Sequence, residues 1–127
     1  MKLIIAGSRE CPSDTFTRIN DAISKPFKVT EVVSGSARGV DAYGEDWARS
    51  RNIRIKRFPA DWSKGKSAGP LRNAQMAEYA DCLLAIWDGK SPGTASIIVE
   101  MQRLGKPVKI VRFAPGKIIP FPKAVNQ

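Results

Sequence analysis

The sequence predicts a single α/β domain in which a parallel sheet of about five strands lies between two layers of helices. Two observations favour this three-layer fold, and a third predicts where its ligand site lies. Short apolar segments alternate with helical patterns along the chain, as they do when helices connect parallel strands. The 127 residues fit one domain, which at this size buries roughly two-thirds of the surface of the unfolded chain. Glycine, serine and arginine residues gather after the predicted strands and before the helices that follow them.

Five segments are predicted as strands because they are short, apolar and bounded by turn residues: 3–6, 31–34, 53–58, 82–87 and 108–113. Four helices are predicted because apolar residues recur every three or four positions and so share one face. These residues are Phe16, Ile19 and Ile23, then Val40, Tyr43, Trp47 and Ala48, then Leu71, Ala74 and Ala77, then Ile97, Ile98, Met101 and Leu104. We therefore expect a domain over residues 1–113 and an irregular basic tail over residues 114–127.

The charge of the chain favours an anionic partner. A formal net charge of +9 and an isoelectric point near 9.9 raise the expectation of a nucleic acid or a phosphorylated small molecule. The basic residues are spread along the chain and suit solvated faces of helices. We therefore expect only weak, sequence-independent binding of nucleic acid.

The two cysteines, Cys11 and Cys82, and the absence of histidine predict neither a disulfide nor a metal site. No segment approaches the roughly 18 apolar residues of a membrane span. The first residues lack the apolar core and cleavage site of a signal peptide. We expect a cytoplasmic protein that needs no cofactor.

Four loops rich in glycine, serine or arginine follow predicted strands, at residues 7–9, 34–39, 59–72 and 87–94. In an open parallel sheet these loops lie together at the carboxyl edge, where ligands bind near the reversal of strand order. The sequence therefore predicts a ligand site at this edge.

The second loop, from Ser34 to Gly39, has the composition of a phosphate-binding turn. Gly35 and Gly39 allow backbone N–H groups to face an anion at a helix N-terminus. The positive charge of Arg38 in the first helical turn is unfavourable beside the positive end of the helix dipole. We therefore expect an anion or a carboxylate to pair with it. The alternative is a tight turn with Ser36 as the helix cap, and the loop lacks the Gly-Lys-Ser/Thr ending of a Walker motif.

The first loop repeats this chemistry with Gly7, Ser8 and Arg9. An arginine again stands on the helix side of a Gly-Ser turn, so a second loop offers a guanidinium to the same ligand. The alternative for Arg9 is a salt bridge to Glu10 or Asp14.

The fourth loop leads into a helix that is predicted to begin at Pro92. Gly93 permits close approach of a ligand to the backbone, and Thr94 either caps the helix or contacts a phosphate. Asp88 and Gly89 are typical of a turn, although Asp88 can also contact a ribose hydroxyl.

The third loop is too long for a minimal connection, and such loops are functional lids or disordered. Its candidate lid residues are Trp62, Lys64 and Lys66. Trp62 either stacks on a base or anchors the loop to the core. Arg72 and Asn73 follow Pro70, which suits a first helical turn and places another guanidinium at a helix N-terminus.

At these residues the chain resembles the SLOG superfamily, named for the Smf/DprA proteins and the LOG phosphoribohydrolases, and especially its small YspA-like members. The matching segments are GSRE, SGSARGVDAYGEDWARSRNI, FPADWSKGKSAGPLRNAQM and ADCLLAIWDGKSPGTAS, in the family's order over residues 2 to 111. The resemblance implies a Rossmann-like fold that binds nucleotides or their derivatives. It also implies a set of site residues: Gly7, Arg9, Gly35, Arg38, Gly39, Asp41, Arg72, Asn73, Gly93 and Thr94.

One departure from the resembled enzymes concerns catalysis. In LOG enzymes the Pro-Gly-Gly-x-Gly-Thr segment is followed at once by glutamates, one of which acts on the N-glycosidic bond. Here Thr94 is followed by Ala95, Ser96 and Ile97, and Glu100 stands more than one helical turn further on. The remaining carboxylates to test are Glu10, Asp41, Asp88 and Glu100, with Asp41 and Asp88 as the candidate catalytic residues. The alternative for Asp41 is that it favours the helix dipole or holds a ribose hydroxyl.

We therefore expect a binding module for a nucleotide or nucleotide-derived phosphorylated ligand, acting as a sensor or by sequestration. The alternatives are a nucleotide hydrolase of the phosphoribohydrolase type and a DprA-like DNA-binding protein. We also expect a homo-oligomer, a two-fold dimer being the commonest form. This expectation rests on dimers in the resembled family and on apolar helix residues read as exposed: Tyr43, Trp47, Met76, Tyr79 and Met101. The alternative for each of these side chains is that it faces the sheet.

Overall fold

The computed structural model describes residues 1–114. In chain order its elements are β1 (Lys2–Gly7), α1 (Thr15–Ala22), β2 (Glu31–Ser34), α2 (Val40–Ser50), β3 (Arg54–Arg57), α3 (Ala68–Tyr79), β4 (Cys82–Trp87), α4 (Pro92–Arg103) and β5 (Val108–Arg112). Short 3-10 helices, Pro26–Lys28 and Trp62–Ser67, precede β2 and α3. The predicted α/β alternation is confirmed. The predicted tail, apart from Ala114, lies outside the described residues.

The strands form one parallel sheet in the order β3-β2-β1-β4-β5. Strands β1 and β4 lie in the middle, and their central residues are buried on both faces, which explains their continuous apolar sequences. Strand order reverses between β1 and β4, because the chain builds outward to β3 and then returns to the far side of β1. This Rossmann-like order predicts a ligand crevice beyond the carboxyl ends of β1 and β4.

Two helices cover each face of the sheet. On one face, Ile19 of α1 and Trp47 of α2 pack in a cluster with Ile5. On the other, Met76 of α3 and Met101 of α4 pack in a cluster with Ile4 and neighbouring sheet residues. No helix within residues 1–114 is long and apolar enough to cross a membrane.

The edge strands are shorter than predicted. Strand β3 ends before Phe58 and begins after Ile53, because it pairs with only four residues of β2. Strand β5 ends at Arg112, before Phe113. Helix α3 begins at Ala68, so Arg72 lies in its second turn rather than in its first.

The residues proposed for self-association are not an exposed surface. Trp47, Met76 and Met101 are fully buried against the sheet, and Tyr43 and Tyr79 are half-buried. The prediction that they are exposed was wrong, because the apolar face of each helix packs against the sheet. Self-association stays a prediction without this support.

Candidate functional site

A cavity of about 420 Å³ opens at the carboxyl edge of the sheet, at the reversal of strand order between β1 and β4. Its volume is in the range of small-molecule sites, about 300–1,000 Å³. Loops that follow β1, β2 and β4, together with α3, contribute its wall. The sequence-predicted site residues in this wall are Gly7, Arg9, Gly35, Asp41, Arg72, Asn73, Asp88, Gly93 and Thr94.

Arg72 and Asn73 connect three of the contributing segments. The Nη1 group of Arg72 donates to the carbonyl oxygens of Gly35 (2.5 Å) and Phe58 (3.4 Å), and its Nε donates to Asn73 Oδ1 (2.9 Å). Asn73 Nδ2 in turn donates to the carbonyl oxygen of Gly93 (3.1 Å). Arg72 Nη2 has no hydrogen-bond partner among residues 1–114, so two of its five N–H donors are available to a ligand.

Gly35 allows Arg72 and Asp41 to approach the same point of the backbone. A Cβ atom at Gly35 would lie 2.9 Å from both Arg72 Nη1 and Asp41 Oδ2. These distances are shorter than van der Waals contact, so any side chain here would displace both charged groups. Glycine at this position therefore allows both charged groups to keep their places.

Asp41 is a buried carboxyl group in the first turn of α2. Its side chain is only 6% exposed, and Oδ2 accepts the N–H of Ala37 at 3.2 Å. Burial raises the pKa of Asp41 to about 6, against the lowering effects of the Ala37 hydrogen bond and the nearby charge of Arg72. A group with this pKa is half-ionised near pH 6, and it lies in the cavity wall.

Arg9 and Arg38 have different surroundings. Arg38 Nη2 pairs with Glu10 Oε2 at 2.8 Å, and both side chains are largely exposed. Asp14 pairs with Arg18, so neither salt bridge considered for Arg9 forms, and that alternative was wrong. Arg9 lines the cavity and has no ion pair among residues 1–114, whereas Arg38 lies outside the cavity wall.

Ser8 and Gly39 lie behind the cavity wall and join the first two loops. The N–H of Val40, the first residue of α2, donates to the carbonyl oxygen of Ser8 at 3.2 Å. Gly39 has a φ of +77°, and a Cβ atom there would lie 2.5 Å from the same oxygen. The backbone of the first loop therefore already accepts one of the N–H groups at the start of α2, so fewer of these donors remain for an anion.

Ser34 and Ser36 also lie outside the cavity wall. Ser34 Oγ is buried, donates to Glu45 Oε2 at 2.7 Å and accepts the N–H of Ser36 at 3.1 Å. Glu45 also accepts from Arg57 at 2.8 Å, and these hydrogen bonds lower its pKa although burial opposes them. The cap position of α2 is Gly39, so Ser36 as the cap was wrong.

Helix α4 begins at Pro92 as predicted, and its N-terminus faces the cavity. The backbone N–H groups of Gly93 and Thr94 have no partner among the described residues, and proline has no N–H to offer. The side chain of Thr94 is only 4% exposed and lines the cavity. It makes no capping hydrogen bond, because Ser91 holds the cap position.

The carboxylate of Asp88 organises the turn that precedes α4. Its Oδ1 accepts the N–H groups of Lys90 and Ser91 at 2.8 Å each, and Oδ2 accepts Ser91 Oγ at 2.9 Å. Burial alone would raise the pKa of Asp88, but these hydrogen bonds lower it. The turn interpretation is confirmed, with Gly89 at a φ of +82°.

The predicted lid residues Trp62, Lys64 and Lys66 lie outside the cavity wall. All three are exposed, and the Trp62 side chain is 59% exposed in the 3-10 helix before α3. Anchoring of Trp62 in the core was therefore wrong, because the ring lies near Gly69 at the surface. A lid role for this segment stays a prediction.

Some residues of the wall were not predicted as ligand contacts. They are Ala6, Glu10, Ala37, Met76, Ser91, Pro92 and Ile97. Ser91 was detectable, because serine before proline is typical of a helix start. The apolar members follow from packing between α3, α4 and the sheet, for which the sequence carries no local signal.

Helix α4 brings no glutamate into the cavity wall to replace the one missing after Thr94. Ser96 Oγ accepts from Asn73 at 3.2 Å, and Glu100 pairs with Arg103 outside the cavity wall. Within residues 1–114, no three histidine, cysteine or acidic side chains lie close enough together to hold a metal ion.

Comparisons with solved structures support the fold. DNA processing protein A (DprA) from Streptococcus pneumoniae matches with a TM-score of 0.76 and 15% identity, over 92% of this chain and 52% of that one. DprA from Helicobacter pylori, solved in a study of its single-stranded DNA binding mode, matches with a TM-score of 0.68 and 19% identity, over 91% of this chain and 67% of that one. The chain thus spans about half the length of the first structure.

Comparisons of sequence identify the family. The gene 61 protein of Mycobacterium phage D29 is 34% identical over 116 residues, which cover 84% of this chain and 93% of that protein. The model of the family described as YspA, cpYpsA-related SLOG matches residues 1–65. The predicted resemblance is confirmed, and the chain belongs to the YspA/cpYpsA-related SLOG family.

Proposed function

We propose that the cavity binds a nucleotide or a nucleotide-derived phosphorylated ligand, and that the protein acts as a sensor or by sequestration in the cytoplasm. The observation that carries the proposal is the arrangement at the cavity mouth. Arg9, without an ion pair among the described residues, and the unpartnered N–H groups at the start of α4 line the same cavity. Free backbone donors at a helix N-terminus and a guanidinium are the groups that bind phosphate in proteins.

The second candidate function is hydrolysis of the bound ligand. It is favoured by Asp41, a buried carboxyl group in the cavity wall whose pKa is raised to about 6. A carboxyl group with such a pKa suits general acid or base catalysis near neutral pH. Binding is preferred because α4 supplies no carboxylate to the cavity where the LOG enzymes have theirs.

A DNA-binding role is the third candidate. It draws on the fold shared with DprA and on the net charge of +9. Among residues 1–114, the basic residues that line the cavity are Arg9 and Arg72, so this part of the chain does not form a continuous basic groove of the kind that follows a single strand.

The proposal is tested by adding a negative charge at the mouth of the cavity. Gly93 is exposed, and no atom lies within 4 Å of a Cβ atom built there. Glutamate in the first turn favours the helix dipole, so Gly93→Glu is expected to fold at least as well as the wild type. Val99→Glu is the matched control, because it adds the same charge to an exposed site on α4 outside the cavity.

Mass spectrometry of denatured protein extracts then detects co-purified nucleotides, and calorimetry measures binding of AMP, GMP, ADP and GDP. We expect binding by the wild type and Val99→Glu and its loss in Gly93→Glu. Absence of nucleotides from the wild-type extract, together with no binding at millimolar concentration, would refute the proposal. Release of free base or phosphate from the same nucleotides, lost in Asp41→Asn, would promote the hydrolase.

A further inference from the structure

The carboxyl group of Asp41 has one oxygen with no partner in the protein. Oδ2 accepts the N–H of Ala37, whereas Oδ1 makes no hydrogen bond with any of residues 1–114. Neither Arg9 nor Arg72 forms an ion pair with it. A buried polar atom without a partner costs free energy. Since Asp41 lines the cavity and is 6% exposed, a group of the ligand can satisfy this oxygen.

The surrounding charges restrict the kind of group that fits Oδ1. Arg72 on α3 and Arg9 on the loop after β1 disfavour a cationic group, and both act on Asp41 by their charge. The ionised carboxylate of Asp41 disfavours a phosphate at Oδ1, because it can only accept hydrogen bonds and repels another anion. A neutral hydrogen-bond donor meets neither obstacle, and the sugar hydroxyl groups are the neutral donors that ribonucleotides carry at the same positions whatever their base.

The cavity wall therefore carries two groups of polar atoms with different chemistry. One group is the N–H groups of Gly93 and Thr94 and the buried hydroxyl of Thr94, which has no hydrogen-bond partner among the described residues. The other is the carboxyl group of Asp41, which lies with Arg72 beside Gly35. A ligand that carries both a phosphate and hydroxyl groups can satisfy both.

We propose that Asp41 accepts a hydrogen bond from a sugar hydroxyl of the phosphorylated ligand and so makes the site selective for ribonucleotides over deoxygenated analogues. This inference rests on the proposed function, because it assigns the sugar contact within the same site. It also separates the site from one built for DNA, whose internal nucleotides have no free sugar hydroxyl.

The test compares AMP and GMP with their 2′,3′-dideoxy forms by calorimetry. The base and phosphate of each pair are identical, so the ratio of the two affinities measures the contribution of the hydroxyl groups to binding. In the wild type we expect the dideoxy forms to bind roughly tenfold more weakly, the scale of a hydrogen bond to a charged group. In Asp41→Ala the affinity for AMP and GMP should fall by about tenfold, and the dideoxy forms should change by less than about threefold.

Asp46→Ala is the control, because it removes an exposed carboxylate from the same helix and should leave all four affinities unchanged. If Asp41→Ala does not fold, Asp41→Asn keeps an acceptor for the Ala37 N–H and should give the same pattern with a smaller ratio. Equal affinity of the wild type for both members of each pair would overturn this inference while the proposed function stands. Equal losses for both members in Asp41→Ala would show a structural role and also overturn it, and failure of all four nucleotides to bind would overturn both proposals.

Discussion

Replacing Asp41 with asparagine is expected to stabilise the domain, and to do so more strongly at pH 8 than at pH 5. In the unfolded chain Asp41 ionises near 3.8, whereas burial raises its pKa in the folded protein to about 6. Above pH 6 the folded protein therefore holds an ionised buried carboxylate at a cost in stability. As the pH falls from 6 towards 3.8, the folded state binds more protons than the unfolded state, so this cost is progressively removed.

The size of the effect follows from the pKa values. At 1.36 kcal/mol per pKa unit, a rise from 3.8 to about 6 corresponds to about 3 kcal/mol at pH 8 and about 1.5 kcal/mol at pH 5. Asparagine has no charge and keeps an oxygen for the Ala37 N–H. We therefore expect Asp41→Asn to be more stable than the wild type by these amounts.

Urea denaturation of both proteins at pH 5 and pH 8 measures the two differences. The carboxylates Glu45 and Asp88, whose pKa values are lowered, are present in both proteins, so their titration cancels. The chain has no histidine, and no imidazole titrates in this window. Asp46→Asn, at an exposed site of the same helix, should change stability by less than about 0.5 kcal/mol. A variant no more stable than the wild type at pH 8, or equally stabilised at both pH values, would refute the reasoning.

Three further predictions concern the cavity. Arg9→Ala should weaken nucleotide binding by about 1.5–3 kcal/mol. Arg38→Ala should weaken it by less than about 1 kcal/mol, because Arg38 pairs with Glu10 outside the cavity wall. Calorimetry that gave the reverse order would contradict this prediction. Gly35→Ala should lower the affinity at least about fivefold while the unfolding free energy falls by at most about 1–3 kcal/mol, because the new methyl displaces Arg72; unchanged binding in a titration would argue against this positioning. Asn73→Ala should cost about 1–3 kcal/mol in urea denaturation, because three hydrogen bonds to the buried amide are lost; a wild-type midpoint would show that this network does not hold the site together.

The order of the elements, and the edge of the sheet where the cavity opens, could be predicted from the sequence alone. Alternation of apolar strands with amphipathic helices depends on near neighbours in the chain, so β2, β4 and the start of α4 at Pro92 were predicted correctly. Gly35 and Gly93 were found because turn chemistry is local. Once the sheet is parallel, all its loops after strands must share one edge.

Which charged side chains form ion pairs depends on contacts between distant parts of the chain. Arg9 and Arg38 follow similar Gly-Ser turns, yet Glu10 pairs with Arg38 across 28 positions of the chain, and Arg9 is left to the cavity. The closing of the α2 N-terminus by Ser8 and the burial of Asp41 likewise depend on how the first two loops pack together. Burial, and with it the pKa of Asp41, is a property of all the surrounding elements at once, so no local pattern in the sequence specifies it.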